Sequence, residues 1–165
     1  MDTIHIGLLR DDEVESLQTL AQHIWRTCYS AMISHAQIDY MLAQRYTPAL
    51  LRQQRAQGDP VFVARDGARL VGFAHACLTE EGRCKLDKLY VSPERQRQGV
   101  GSRLLTEVQA FARRQGCATL FLRVNKHNGA ALAAYRKHGF VIQTALTEDI
   151  GGGFVMDDYL MVKTL

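Results

Sequence analysis

The chain has 165 residues, 47% of them hydrophobic and 22% charged, as is typical of one soluble domain with a hydrophobic core. A formal net charge of +3 is too small to favour a nucleic-acid partner. No secretion signal is present and no apolar run reaches the ~20 residues of a membrane span, so we expect a cytoplasmic protein with no membrane partner. Four scattered cysteines without metal-ligand spacing predict reduced thiols and no metal site.

The first third of the sequence predicts one strand followed by three helices. The strand covers Ile4–Leu9, and the helices begin near Asp12, Ser34 and Thr47. The acids that follow Asp12 suit the free amides of a first helical turn. Ser34-His35-Ala36-Gln37 has the pattern of a capping box, in which the side chains at both ends bond to backbone N–H groups.

The rest of the sequence alternates extended segments with two further helices. Asp66-Gly67 lies between two extended segments and is a strong hairpin signal, because such a turn needs a positive φ. The predicted strands are Val61–Arg65, Leu70–Leu78, Cys84–Val91, Thr119–Val124, Phe140–Leu146 and Phe154–Lys163. The predicted helices are Gly99–Gln115 and Asn128–His138. This order predicts a mixed α/β fold in a single domain over residues 1–165, without repeats or linkers.

A short loop with two close glycines connects the strand that ends at Val91 to the helix that begins at Gly99. Glycines let the backbone approach a ligand, and a helix N-terminus carries about half a positive charge. Arg97 and Ser102 could add side-chain donors. The dinucleotide pattern G-x-G-x-x-G is not met, because position 104 is Leu104. Taken alone, the loop fits a phosphate site and a purely structural turn equally well.

A second group of residues lies on the predicted helix that begins at Asn128. Tyr135 follows Asn128 by about two helical turns, so both lie on one face, and the small Ala131 lies between them. An Asn at a helix start is usually a cap, and a Tyr within a helix usually belongs to the core. Together they favour a polar contact and a hydroxyl along one narrow groove.

These two segments resemble the motifs of the GNAT superfamily of acyltransferases. Leu89–Ser102 resembles its acetyl-CoA motif, whose core is [Q/R]-x-x-G-x-[G/A], and Asn128–Phe140 resembles N-x-x-A-x-x-x-Y-x-x-x-G-F. The predicted order of elements also matches, so the resemblance covers nearly the whole chain. It implies a mixed, mostly antiparallel sheet of about seven strands with a splayed central parallel pair, flanked by four or five helices.

The resemblance also implies how acetyl-CoA would be held. The pantetheine arm would pair with exposed backbone between the splayed strands, and the amides of the glycine-containing loop would hold the pyrophosphate. Asn128 would contact the arm, and Tyr135 would lie near the sulfur. The implied cofactor-binding residues are Leu89, Tyr90, Val91, Gln96, Arg97, Gln98, Gly99, Val100, Gly101, Ser102, Asn128 and Tyr135.

The activity implied by the resemblance is direct attack of a primary amine on acetyl-CoA in a ternary complex. Tyr135 would be the general acid, since an ordinary tyrosine pKa of about 10 keeps it protonated at neutral pH. A backbone N–H near Val91 would stabilise the oxyanion. Asp87 is the candidate general base, although a solvent-facing Asp87 beside Lys88 is an equally good interpretation.

The acceptor site is expected between the first helices and the last strand. Trp25 and Tyr29 supply aromatic surface that could line a pocket or only pack. Asp157 and Asp158 could attract a cationic amine or form a solvated edge; at most one can face a pocket, because successive strand residues point to opposite faces. We take Asp157 as the substrate residue.

A small, polyamine-like amine is the expected acceptor. A protein or peptide N-acetyltransferase and a non-catalytic CoA-binding regulatory module are the alternatives, and Tyr135 argues against the module. The resemblance also implies a homodimer, often formed through the terminal strands, and a partner would cover an edge strand as apolar as Phe154–Leu165.

Overall fold

The computed structural model describes residues 3–165, and for residue 81 only the backbone. Within this range it has seven strands: β1 Ile4–Leu8, β2 Val61–Asp66, β3 Arg69–Thr79, β4 Arg83–Val91, β5 Thr119–Asn125, β6 Val141–Gly151 and β7 Phe154–Thr164. It has five α-helices: α1 Val14–Cys28, α2 His35–Arg45, α3 Pro48–Ala56, α4 Val100–Arg114 and α5 Gly129–Lys137. All the predicted elements are therefore found; β6 extends five residues beyond its predicted end at Leu146, and the other ends differ little.

One sheet contains all seven strands, in the order β1-β2-β3-β4-β5-β7-β6. Neighbouring strands are antiparallel except β4 and β5, which are parallel. Apolar residues of α4 and α5 pack on one face of the sheet. Those of α1, α2 and α3 pack on the other face, around Trp25, Tyr46 and Phe73. The predicted fold class is confirmed.

The parallel strands β4 and β5 separate after a short paired stretch. Only Arg83, Cys84 and Lys85 of β4 pair with β5, and beyond Lys85 the two strands run apart. Asp87 forms a bulge in β4, because His75 pairs with Lys88 and the next residue of β3 pairs with Leu86. The divergence leaves one side of β4 unpaired towards its end, as the resemblance implies.

The last strand is not at the edge of the sheet. β7 lies between β5 and β6, and β6 is the edge strand. The expectation that Phe154–Leu165 forms an apolar edge is therefore wrong. The period of a segment identifies it as a strand but does not say which strands it pairs with. Here the last strand, β7, inserts between β5 and β6. The homodimer loses the support of an apolar edge strand and stays a prediction that rests on the resemblance.

The β6–β7 hairpin is attached to α2 by two side chains. The Gln37 amide nitrogen Nε2 donates to the Val155 carbonyl at 3.0 Å, and the Tyr40 hydroxyl donates to the Ile150 carbonyl at 2.8 Å. The predicted capping box is thus only half correct. Ser34 Oγ does accept from the Gln37 backbone N–H at 3.1 Å, but the Gln37 side chain reaches the hairpin instead of the helix start.

An ion pair connects the start of α1 to β2. Glu13 accepts from Arg65 Nε and Nη2, both at 2.7 Å, and from the Arg10 backbone N–H at 2.9 Å. Both side chains are largely buried. The hydrogen bonds from Arg65 lower the pKa of Glu13 from its ordinary 4.5 to about 2, although burial opposes this.

We expect Glu13→Gln to lower the free energy of unfolding by about 3 kcal/mol at neutral pH, because it leaves Arg65 buried without its counter-charge. The folded-state pKa of Glu13 is depressed, so its stabilisation is complete above pH 4.5 and is lost as the pH falls towards about 2. Urea unfolding across this range should show the two proteins converging at low pH. Glu15→Gln, which breaks the exposed pair with Arg52, is the control and should change little. Equal stability of Glu13→Gln and wild type at neutral pH would contradict the prediction.

Three further features concern the described residues alone. Cys28, Cys77, Cys84 and Cys117 are free thiols. Across residues 3–165, the helices are too short or too polar to cross a membrane. In the same range, no three side chains among His, Cys, Asp and Glu are grouped closely enough to hold a metal ion.

Candidate active site

The start of α4 presents free backbone N–H groups. Gly99 precedes the helix with φ 81°, and Arg97 also has a positive φ, 63°, which is uncommon for a residue other than glycine. The first α4 amide with an intrahelical partner is that of Arg103, which bonds to the Gly99 carbonyl. Among the described residues no side chain caps α4, and its first turn has no acid. The N–H groups from Val100 to Ser102 are therefore free to bind an anion.

The side chains of the preceding loop mostly hold the loop itself. Gln96 Nε2 donates to the Val91 carbonyl at 3.2 Å, and Gln98 Nε2 donates to the Glu94 carbonyl at 3.3 Å. Ser102 Oγ lies 2.9 Å from His138 Nε2 at the end of α5. Arg97 is exposed. The loop is thus shaped by its own hydrogen bonds. The free backbone amides of Val100–Ser102 and the exposed Arg97 are candidate donors to an anion, and we call them the anion cradle.

Asn128 and Tyr135 lie on α5, as predicted. Asn128 Oδ1 accepts from the Ala131 N–H at 3.2 Å, so it caps the helix. The Tyr135 ring packs edge-on against Phe140, with ring centroids 5.6 Å apart. Burial raises the pKa of the Tyr135 hydroxyl, and the neighbouring Tyr90 raises it further. The hydroxyl therefore keeps its proton at neutral pH, as a general acid must.

A cavity of about 300 Å³ lies on the other face of the sheet, between α1, α2 and the ends of β4, β5, β6 and β7. Trp25, Tyr29 and Tyr90 form its aromatic wall. Trp25 is only 2% exposed, and its ring centroid is 4.7 Å from that of Tyr29 and 5.8 Å from that of Tyr90. Trp25 Nε1 donates to the Tyr46 hydroxyl at 3.3 Å. Trp25 therefore both packs in the core and lines the cavity.

Asp87 also lines this cavity, and its carboxylate contacts cationic side chains and an imidazole. Its carboxylate is 2.8 Å from Lys88 Nζ, 3.1 Å from His75 Nδ1 and 3.3 Å from Arg45 Nη2. Burial alone would raise the pKa of Asp87, but the His75 hydrogen bond and the charges of Lys88 and Arg45 outweigh it and hold the pKa well below its ordinary value. Such a carboxylate is a weak proton acceptor.

The interpretation of Asp87 as a solvent-facing residue is wrong, because its side chain is only 18% exposed and pairs with neighbours on several sides. Lys88 is buried as well, with its Nζ 5.4 Å from the centre of the Tyr46 ring. The contacts favour Asp87 as a structural anion that holds the β4 bulge. Its role as a general base stays a prediction.

Comparison with known proteins decides the family. Residues 18–140 match the sequence profile of the acetyltransferase (GNAT) family. The chain belongs to this family. It is a GNAT-type N-acetyltransferase, as the two motifs predict, and the cradle at α4 and Tyr135 on α5 are the parts that carry those motifs.

Two related proteins and one solved structure illustrate which members of the GNAT family this chain is similar to. Spermidine N(1)-acetyltransferase of Thermoplasma acidophilum is 25% identical over 160 residues, 94% of this chain and 96% of that protein. The ribosomal protein bS18-alanine N-acetyltransferase of Escherichia coli K12 is 32% identical over 105 residues, 53% of this chain and 69% of that protein. The crystal structure of PaiA N-acetyltransferase from T. acidophilum in complex with coenzyme A superposes with a TM-score of 0.85 at 25% identity, covering 100% of both chains.

Of the two neighbouring aspartates on β7 in this GNAT chain, Asp158 faces the cavity and Asp157 does not. Asp157 is on the opposite face, where it pairs with Lys126 and accepts from the Thr147 hydroxyl at 3.1 Å. The choice of Asp157 as the substrate-facing residue is therefore not supported by its placement. The two aspartates do point to opposite faces of β7, as strand alternation requires, but the sequence alone does not say which face is turned towards the cavity.

Four charged residues of the cavity were not predicted from the sequence. They are Arg45 at the end of α2, Lys85 on β4, Arg123 on β5 and Glu148 on β6. Arg123 pairs with Glu148 and lies 3.3 Å from Asp158 Oδ2. Its position between the buried Leu122 and Val124 is a detectable signal, since a charge in an otherwise apolar strand suggests a specific partner.

Proposed function

We propose that this GNAT chain transfers the acetyl group of acetyl-CoA to the primary amine of a small molecule, by direct attack in a ternary complex. The observation that carries this proposal is the separation of β4 and β5 beyond Lys85. It opens the sheet between the anion cradle at α4 and the cavity lined by Tyr29 and Tyr90. A donor held at the cradle and an acceptor held in the cavity could therefore meet at the end of β4.

The residues of the donor side fit acetyl-CoA. The free N–H groups from Val100 to Ser102 and the Arg97 side chain suit a pyrophosphate. The unpaired side of β4 over Leu89, Tyr90 and Val91 suits the amides of a pantetheine arm, which would add to the sheet as a further strand does. When bound, acetyl-CoA supplies an activated thioester.

The chain's own residues would then manage charge and protons. Tyr135 would give its hydroxyl proton to the departing sulfur, which its raised pKa permits. A backbone N–H near Val91 would stabilise the negative charge that develops on the acetyl oxygen. The aromatic wall formed by Trp25, Tyr29 and Tyr90 would exclude water from the attacking amine.

A small acceptor is favoured over a protein by the shape of the cavity. Its volume is about 300 Å³, and it lies between α2 and the β6–β7 hairpin, which Gln37 and Tyr40 join by hydrogen bonds. The spermidine N(1)-acetyltransferase matches 94% of this chain, whereas the E. coli enzyme named for a ribosomal protein matches 53%. Spermidine is therefore the first acceptor to test, with protein N-termini as the alternative.

The test is a screen of acceptors with release of the CoA thiol as the readout. The acceptors are spermidine, short alkyl monoamines, and a peptide with a free N-terminal alanine. Turnover of spermidine or a monoamine without turnover of the peptide would support the proposal. Turnover of the peptide alone would assign a protein acceptor. Binding of CoA without turnover of any acceptor would favour a non-catalytic module.

A further inference from the structure

One carboxylate oxygen in the cavity has no partner. Asp158 lies on β7 opposite Asn125 of β5 and is 5% exposed. Its Oδ2 is 3.3 Å from Arg123 Nη2, but among the described residues its Oδ1 accepts no hydrogen bond. An unpaired buried carboxylate oxygen is unfavourable and is uncommon in folded proteins. Arg123 Nε is also unpaired among the described residues, so Arg123 and Asp158 meet through Nη2 and Oδ2 alone, and Oδ1 can accept from a donor that a ligand supplies.

The other carboxylates of the cavity are already engaged. Asp87 is surrounded by His75, Lys88 and Arg45. Glu148 is paired with Arg123, which it shares with Asp158. Asp158 is thus the cavity carboxylate that retains an acceptor for a donor coming from a ligand.

We propose that Asp158 Oδ1 binds the ammonium group of the acceptor and takes one of its protons. This inference rests on the proposed acetyl transfer to an amine. An N–H bond of the ammonium breaks and an O–H bond forms on Asp158, which leaves the nitrogen with a free electron pair. That pair forms the bond to the acetyl carbon as the carbon–sulfur bond breaks. The sulfur leaves with its electron pair and takes the Tyr135 proton, Tyr135 recovers a second proton from the nitrogen, and Asp158 passes its proton to solvent.

The surroundings of Asp158 suit this role better than those of Asp87. Burial raises the pKa of Asp158, and the charges of Arg123 and Arg45, which act in the opposite direction, do not cancel the effect. Glu148 and the adjacent Asp157 raise it further. Asp158 lines the same cavity as Tyr90, which lies at the end of β4, where the proposed donor and acceptor would meet.

The test compares Asp158→Asn with Asp157→Asn, the same change at the next residue of the same strand but on its other face. The acceptor is spermidine, or the monoamine that the wild type turns over. At neutral pH we expect Asp158→Asn to lower kcat/KM by about 100-fold, because the amine is then charged and lacks its proton acceptor. Asp157→Asn should stay close to wild type.

Two arms separate proton removal from a structural role. Hydroxylamine is uncharged at neutral pH and needs no base, so Asp158→Asn should acetylate it about as fast as wild type does. With the charged amine, the deficit of Asp158→Asn should shrink as the pH rises and the free amine accumulates. If hydroxylamine is no substrate of the wild type, the pH arm decides. A deficit that is the same for both acceptors, or independent of pH, would overturn the proposal.

Folding is checked on the same proteins through the thermal midpoint and the affinity for CoA. The raised pKa of Asp158 means that the folded state disfavours its charge above pH 3.8, so the Asn variant should be at least as stable as wild type at neutral pH. A wild type that acetylates no amine would remove the proposed function and this inference together. An active wild type with Asp158→Asn equal to Asp157→Asn would remove this inference alone.

Discussion

Replacing Tyr135 by Phe should lower kcat by about 10²–10⁴-fold at saturating substrates, the range of a lost general acid. The substitution removes only the hydroxyl, so the edge-on contact with Phe140 is kept and the thermal midpoint should hardly change. The affinity for CoA should also stay close to wild type. Thiol release in the steady state gives kcat, and calorimetric titration with CoA gives the affinity.

The control for Tyr135→Phe is Tyr159→Phe, which removes a hydroxyl from β7 under the ammonium group of Lys126. This variant should keep the wild-type kcat. Because burial raises the pKa of Tyr135 above its ordinary 10.0, this group should cause no loss of kcat between neutral pH and about pH 10. An unchanged kcat in Tyr135→Phe would remove Tyr135 from the role of general acid.

The parts of the fold that depend on local chemistry could be predicted from the sequence. The hairpin at Asp66-Gly67 follows from the conformational freedom of glycine, and Gly67 does adopt a positive φ of 61°. Helix α3 begins where Thr47 and Pro48 indicate, with Thr47 Oγ1 accepting from the Leu50 N–H at 3.2 Å. Each of these features depends on a few neighbouring residues, whose preferences do not depend on the rest of the chain.

Features that depend on distant residues could not be predicted in the same way. β7 lies inside the sheet because it pairs with β5, and no periodicity within β7 reports this. The proton affinity of Asp87 is set by His75 on β3 and Arg45 on α2, which only the folded chain brings together. Gln37 was assigned to a local cap, but its partner is Val155 in the last hairpin.

The candidate site also contains parts that depend on local sequence and parts that depend on distant residues. The cradle and Tyr135 were found because their motifs are contiguous in sequence and resemble a known family. The acceptor cavity is assembled from six elements, and the sequence led to Asp157 as the substrate residue, whereas Asp158 is the one that lines the cavity. The sequence therefore indicates how the acetyl donor would be held. The charges around the acceptor cavity, Arg123 and Glu148 among them, come together only in the folded structure.

Gly99→Val should weaken CoA binding by at least about 10-fold, equivalent to about 1.4 kcal/mol. Gly99 has φ 81°, which a β-branched residue adopts only with strain of about 1–3 kcal/mol. Relief of this strain would rotate the peptide that begins α4 and turn the N–H groups of Val100–Ser102 away from a common point. The loss is one of backbone geometry, since a Cβ at position 99 would meet no described residue within 4 Å beyond its two chain neighbours.

Gly116→Val is the matched control, because Gly116 lies just beyond the other end of α4 with φ 75° and also has open space around a Cβ. The two variants should lose similar stability, as thermal unfolding would show. Only Gly99→Val should weaken CoA binding in calorimetric titration. Similar CoA affinity in both would mean that the α4 amides do not hold the pyrophosphate. Weaker binding in Gly99→Val alone would separate the anion cradle from the general stability of the helix, because both variants strain the same element.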